Sequence, residues 1–194
     1  MAMAKKYEFK PDKPRSGFLS KLYLTQKQRR GILKWGLYAL VLLVLSVLQD
    51  VVLSRVSIFG ATTDLVPCGI FVICVLEGAE RSCVFALIAA MVYLFSGTAP
   101  GMYAPVFIVV LAVFLSIFRQ AYFQRSLSAT LLCVGIAMAV YELAVFAIGL
   151  FLNLTVFSRI GGFGITMVLT LICVPVLYPI CLSIESIGGE AWKE

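Results

Sequence analysis

The sequence predicts an all-α membrane protein, a compact bundle of about six transmembrane helices with both termini cytoplasmic. Three observations carry that expectation. The 194 residues are 61% hydrophobic and only 13% charged, with a mean hydropathy of +1.01. A soluble domain of this length sits nearer half apolar and a quarter charged, so the solvent for this much apolar surface is lipid. The apolar residues are gathered into runs separated by short polar turns. The basic residues are unevenly placed, with ten of the sixteen in the first 34 positions.

Residues 1–30 form a polar, basic cytoplasmic tail. Within "SGFLSKLYLTQKQRR", Phe18, Leu19, Leu22 and Tyr23 are spaced to share one helical face. A short amphipathic helix on an anionic leaflet and a solvated tail both fit that stretch. A cleavable signal peptide does not: the first 30 residues are polar, and the run behind them is too long for a signal-peptide core. No lipidation pattern is present.

The transmembrane domain covers residues 31–185. The first run extends from Gly31 to about Val52, enough to cross a hydrocarbon core at about 1.5 Å per residue. Trp35 and Tyr38 sit near its start, where an interfacial aromatic belt belongs. The second run, "DLVPCGIFVICVL", is short, with twelve apolar residues between Asp64 and Glu77; Pro67 and Gly69 predict a packed segment rather than a lipid-facing one. The third run covers about Ser82–Phe95, the fourth Met102–Phe118, the fifth Leu127–Leu152 and the sixth Phe163–Ile184. Residues 186–194 form a short cytoplasmic tail. With the N-terminal tail inside, the cytoplasmic segments hold fourteen basic residues and the outer segments two, Arg55 and Arg159. That bias requires an even number of crossings, as in a multi-pass membrane protein with both ends on the same side.

Several function classes fall away. The basic bias follows topology, and no aromatic-interleaved basic face supports nucleic-acid binding. The chain has no His, which excludes a Cys/His metal site and an imidazole base. The six cysteines form no CxxC pair and read as small apolar packing residues. No nucleophile elbow, zinc-protease motif, phosphate loop or paired intramembrane Asp motif occurs, so neither an enzyme nor a cofactor is expected.

Charge inside a span is costly and marks functional candidates. Asp50 and Arg55 lie near the outer end of the first helix and read as an interfacial pair or as two solvated end residues. Asp64 opens the second run and is placed to cap its N-terminus. Glu77, Glu80 and Arg81 form the turn "LEGAERS" and read as solvated. Glu142, in "AVYELAVFAIG", lies near the middle of the fifth run, out of reach of either surface. It must be protonated, paired within the bundle or face a polar cavity, and it is the best single candidate for an intramembrane interaction. Gly135/Ala139 and Ala86/Ala90 are small pairs at helix-packing spacing.

In "VYLFSGTAPGMYAPVF" (92–107), Ser96–Gly97 are expected to end the third helix. Pro100 and Gly101 carry the turn, and Pro105 sits in the first turn of the fourth helix. With their neighbours, these residues carry a resemblance. The segments "LQDVVLSRVSIFGATTDL" (48–65), "LEGAERS" (76–82), "AAMVYLFSGTAPGMYA" (89–104) and the basic turn "RQAYFQRS" (119–126) resemble the rod-shape-determining protein MreD family, whose pattern runs "LQ…lfG…DLvl", "EG…", "GLxxDxxSGxxxGxYA". Ser96, Gly97, Gly101 and Tyr103 fall in place; Tyr93 stands where the pattern has Asp, and Ala89–Ala90 where it has Gly. The N-terminal tail is longer than is usual in that family.

The resemblance implies a non-catalytic membrane scaffold of the bacterial cell-elongation machinery. It would bind an MreC-like bitopic membrane protein and through it the MreB filament, a RodA-type glycosyltransferase and a class B transpeptidase, linking them to peptidoglycan synthesis. The family's six-helix plan is similar to the substrate-binding components of energy-coupling-factor transporters for vitamins and other small molecules, which provide the alternative. The scaffold reading predicts no ligand pocket and exposed apolar or small-residue faces. The transporter reading predicts an outer pocket with converging polar groups, and an Ala-x-x-x-Ala face such as Ala86/Ala90 turned to a partner.

Overall fold

The computed structural model describes residues 26–55, 61–77, 79–122 and 126–187. The N-terminal tail with its candidate amphipathic stretch, part of the basic turn at 119–126 and the last seven residues lie outside them. Seven α-helices are described: α1 (Gln26–Val47), α2 (Leu65–Leu76), α3 (Ala79–Phe95), α4 (Ala104–Tyr122), α5 (Leu127–Phe151), α6 (Ile160–Ile172) and α7 (Val174–Ile187). Two spans are long and apolar enough to cross a membrane, Gln28–Val52 and Leu127–Phe151, and a third is available if α6 and α7 form one bent span. The chain is thus an all-helical membrane protein across the described residues.

The fold is organised around α2. All twelve of its residues are buried, and it touches each of the other six helices. Its run of apolar residues has no polar face, which is the pattern of a helix surrounded by protein. The sequence expectation of a packed short segment is met, and the reason it need not reach both membrane surfaces is that the neighbours cover it. Gly69 permits the closest of these approaches: a Cβ there would stand 2.6 Å from a methyl carbon of Leu45 on α1.

Outside this core the bundle turns apolar side chains outward. Ile32, Leu40 and Leu43 on α1, Val84, Leu87 and Val92 on α3, Val106, Val110 and Phe114 on α4, and Leu132, Ile136 and Leu143 on α5 are all exposed. An apolar coat of this extent over an apolar core is what a lipid solvent demands.

Helix ends follow local chemistry. Ser126 caps α5, its Oγ accepting the N–H of Ala129 at 3.1 Å. Asn153, at φ +56°, closes the other end of α5: the N–H of Leu154 reaches Gly149 O at 2.8 Å and that of Asn153 reaches Leu150 O at 3.1 Å, a Schellman pair. The turn after α3 is as expected. Gly97 takes φ +78°, the Ser96 hydroxyl returns to Tyr93 O at 2.7 Å, and α4 starts one residue before Pro105.

The structure corrects three expectations. The sixth run is two helices bent by 44° at Cys173: Pro175 has no N–H to give the Leu171 carbonyl, and its ring crowds the preceding turn. Tyr38 is fully buried rather than part of an interfacial belt, because its hydroxyl has a partner inside the bundle. Ala86 and Ala90 are also fully buried, spent on packing within the bundle, where α3 lies against α4 and α2, so this pair presents no face to a partner.

Candidate functional site

A short helix buried in an apolar bundle leaves up to four unpaired backbone groups at each end, one fewer at the start of α2 where Pro67 has no N–H, and they must be met by side chains or by solvent. At the C-terminal end of α2 they are met by side chains. Ser116 donates to Cys74 O at 2.9 Å, Ser82 to the same oxygen at 3.2 Å, and the Arg119 guanidinium to Val75 O at 2.6 Å. A cation at a helix C-terminus also complements the helix dipole.

Beside this end lies a buried ion pair, Lys34 Nζ to Glu77 Oε1 at 2.6 Å, the two side chains 7% and 4% exposed. The Tyr38 hydroxyl donates to the same Glu77 oxygen at 2.9 Å, and its ring packs with Trp35 and Phe85. Glu77 is therefore a buried structural partner, which corrects the expectation of a solvated turn. Glu80 and Arg81 are exposed. Lys34 carried no signal in the sequence beyond its place in a basic tail. A lysine four residues inside an apolar run, with a lone Glu at the end of the next, is the hint that was available.

The N-terminal end of α2 is built differently. α1 continues through a π-helical turn, Leu48–Val52, which swings the Gln49 amide over the start of α2. Its Oε1 accepts the N–H of Val66 at 3.0 Å and its Nε2 donates to Asp64 Oδ1 at 3.2 Å. The Tyr93 hydroxyl donates to the same Asp64 oxygen at 2.8 Å, and the backbone N–H of Asp64 is taken by Thr170 Oγ1 at 3.0 Å. Asp64 stands at the N-cap position, but its side chain accepts no capping bond. Its φ and ψ of −112° and 75° turn the carboxylate away from the helix, and Gln49 does the capping. That is a correction: Asp64 is the hub of a side-chain cluster joining α1, α2, α3 and α6.

This cluster forms one wall of a cavity of about 690 Å³. Opposite it stand Tyr141, Glu142 and Gly149 from α5, Phe163 and Thr166 from α6, and Thr155 and Arg159 from the connection between them. Thr62, Pro100, Ser158 and Arg159 are exposed and mark its mouth. Glu142 is 7% exposed, and its Oε1 has no hydrogen-bond donor, while the Asp64 carboxylate is close enough to repel it. The Tyr141 hydroxyl approaches Tyr93 in a geometry that falls short of a hydrogen bond. Thr63 and Thr155 add two more buried hydroxyls without partners.

The sequence candidates therefore divide. Glu142, Asp64, Tyr93 and Tyr103 all line the cavity, and of the three alternatives left open for Glu142, it faces a polar cavity. Ser96 and Gly97 support it by fixing the turn behind Tyr93. Gly101 packs under the Tyr103 ring, since a Cβ there would stand 2.5 Å from a ring carbon. Asp50 and Arg55 sit in the π and 3-10 turns that end α1, outside the cavity lining. Gln49 and Tyr141 were missed as site residues: neither is charged, and no local spacing marks an uncharged polar side chain in an apolar run as part of a cavity wall.

No family model, no curated protein and no solved structure matches the chain.

Proposed function

We propose that this chain is a non-catalytic, multi-pass component of a bacterial inner membrane, with six crossings and both ends cytoplasmic, acting as an MreD-like scaffold of the elongation machinery. One observation carries the reading. Four positions from two of the segments that carry the resemblance, 48–65 and 89–104, meet at one place. Gln49 of the "LQ" element, Asp64 of "DL" and Tyr93 of the "SG" helix form a single hydrogen-bonded cluster, and Tyr103 of "GxYA" lines the same cavity. Unrelated apolar helices with Gly turns have no reason to bring those positions together. Tyr93, which stands where the pattern has Asp, supplies a hydroxyl donor to Asp64.

In this reading the fourteen-to-two basic bias puts the Glu77 end of α2 toward the cytoplasm and the Asp64 cavity outside. The exposed apolar faces of α1, α3 and α4 meet lipid or the single span of an MreC-like protein. Co-expression with such a partner, followed by affinity capture in mild detergent, tests it. A stoichiometric complex is expected; recovery of this chain alone, with both proteins in the membrane fraction, overturns the scaffold role.

The cavity itself favours a second reading, the substrate-binding component of a small-molecule transporter. A scaffold predicted no ligand pocket, and a chamber of about 690 Å³ is within the usual range for small-molecule sites, roughly 300–1,000 Å³. Its converging polar groups are what that alternative predicted.

A further inference from the structure

The cavity's chemistry goes further than its size. Four buried oxygens without hydrogen-bond partners belong to residues that line it: Thr63 Oγ1, the Tyr141 hydroxyl, Glu142 Oε1 and Thr155 Oγ1. Buried polar atoms in folded proteins are nearly always satisfied, so an orphan set gathered on one chamber marks a place where something else completes the bonding. A carboxylate oxygen accepts and cannot donate, and hydroxyls adapt to either role. A ligand that donates hydrogen bonds is therefore able to satisfy the whole set.

Charge points the same way. Two acidic side chains, Asp64 and Glu142, line the chamber. Among the described lining residues the single basic group is Arg159, which is exposed at the mouth. Asp64 is met by Gln49 and Tyr93, while Glu142 Oε1 has no donor among the described residues. Tyr93, Tyr141 and Phe163 contribute aromatic surface, which attracts an ammonium group through the ring quadrupole. A chamber of this size is far larger than a bare metal ion needs, and no group of three His, Cys, Asp or Glu able to hold a metal occurs among the described residues.

We propose that the chamber binds a small organic cation, a primary amine with an apolar body, its ammonium group seated on Glu142 Oε1 and the Tyr141 hydroxyl. The inference rests on the ligand-binding reading of the cavity and is independent of the scaffold role. No step of chemistry is involved; the site binds.

The test uses the full chain in detergent and three probes of similar shape: phenethylammonium, the neutral 2-phenylethanol and the anion 3-phenylpropionate, with binding read by isothermal titration calorimetry. Phenethylammonium is expected to bind at least tenfold more tightly than either isostere, and Glu142→Gln to remove that preference. Equal or tighter binding of the alcohol or the anion overturns the cation assignment while leaving a ligand site in place. Failure of all three probes overturns both the assignment and the ligand-binding reading. Because the comparison among probes is made on the unsubstituted chain, it stands even where Glu142→Gln fails to fold. A preference for the cation that survives Glu142→Gln and Asp64→Asn overturns the seating on these carboxylates.

Discussion

The two ends of α2 face the same physical problem and solve it in opposite ways. At the Glu77 end, Ser82, Ser116 and Arg119 take the carbonyls of Cys74 and Val75, and Lys34, Glu77 and Tyr38 bond to one another in a buried pocket. At the Asp64 end, Gln49, Tyr93 and Thr170 settle the helix start itself. The surrounding chamber, however, keeps Glu142, Tyr141, Thr63 and Thr155 oriented without partners. In an apolar bundle an unmet polar group costs on the order of a few kcal/mol. The structural end is closed by side chains that bond to one another, whereas the other end gathers polar side chains around a shared chamber, as proteins tend to break local rules where they function.

That contrast can be broken most forcefully at the saturated end. Glu77→Leu strands the Lys34 ammonium in a buried site, and breaking such a pair costs about 3–5 kcal/mol. A large fall in the thermal unfolding midpoint, read by size-exclusion in detergent, is expected, and the double substitution Lys34→Met with Glu77→Leu is expected to recover most of it. A single variant as stable as the parent would mean that this end is not the structural one.

A middle-sized effect is expected on the wall that the two roles share. Tyr93→Phe removes a hydrogen bond to a carboxylate, a loss of about 1.5–3 kcal/mol. Tyr93→Asp, which installs the residue of the MreD pattern, sets two carboxylates together and is expected to lower the same midpoint further. If Tyr93→Asp is the more stable of the two, the Asp64 cluster is not organised by its donors.

The smallest expected change has the opposite sign. Glu142→Leu replaces a buried carboxyl group with an apolar side chain and is expected to leave stability unchanged or raise it by roughly 0.5–2 kcal/mol, while abolishing amine binding. A strongly destabilised Glu142→Leu would make Glu142 a structural residue and erase the distinction between the ends.

Much of this was legible in advance. The helix ends at Ser96–Gly97 and at Ser126 are local matters of backbone conformation and side-chain reach, and the third and fifth helices fall near their expected positions. Glu142 stood out because a carboxylate in mid-span has no route to water. The bend at Cys173 was written in Pro175, whose effect was overlooked inside a run that looked long enough for one helix. Glu77 and Asp64 were misread because both flank turns, and a residue beside a turn looks solvated or looks like a cap until its distant partners are known. Lys34 is 43 residues from Glu77 and Gln49 is 15 from Asp64, separations over which no periodicity carries information.

By itself, then, the sequence determined the solvent, the helical content and the places where helices stop. Those properties depend on composition and on interactions within a few residues, which are written contiguously. Only the tertiary structure decided that α2 is the enclosed centre, that its C-terminal end is closed by an ion pair, and that its N-terminal end opens on an acidic chamber. Those depend on which apolar faces pack together, and in a bundle where nearly every face is apolar, hydrophobicity does not choose among them. Shape does, through contacts such as Gly69 against Leu45, and the polar groups then meet or miss their partners according to the packing that shape has selected.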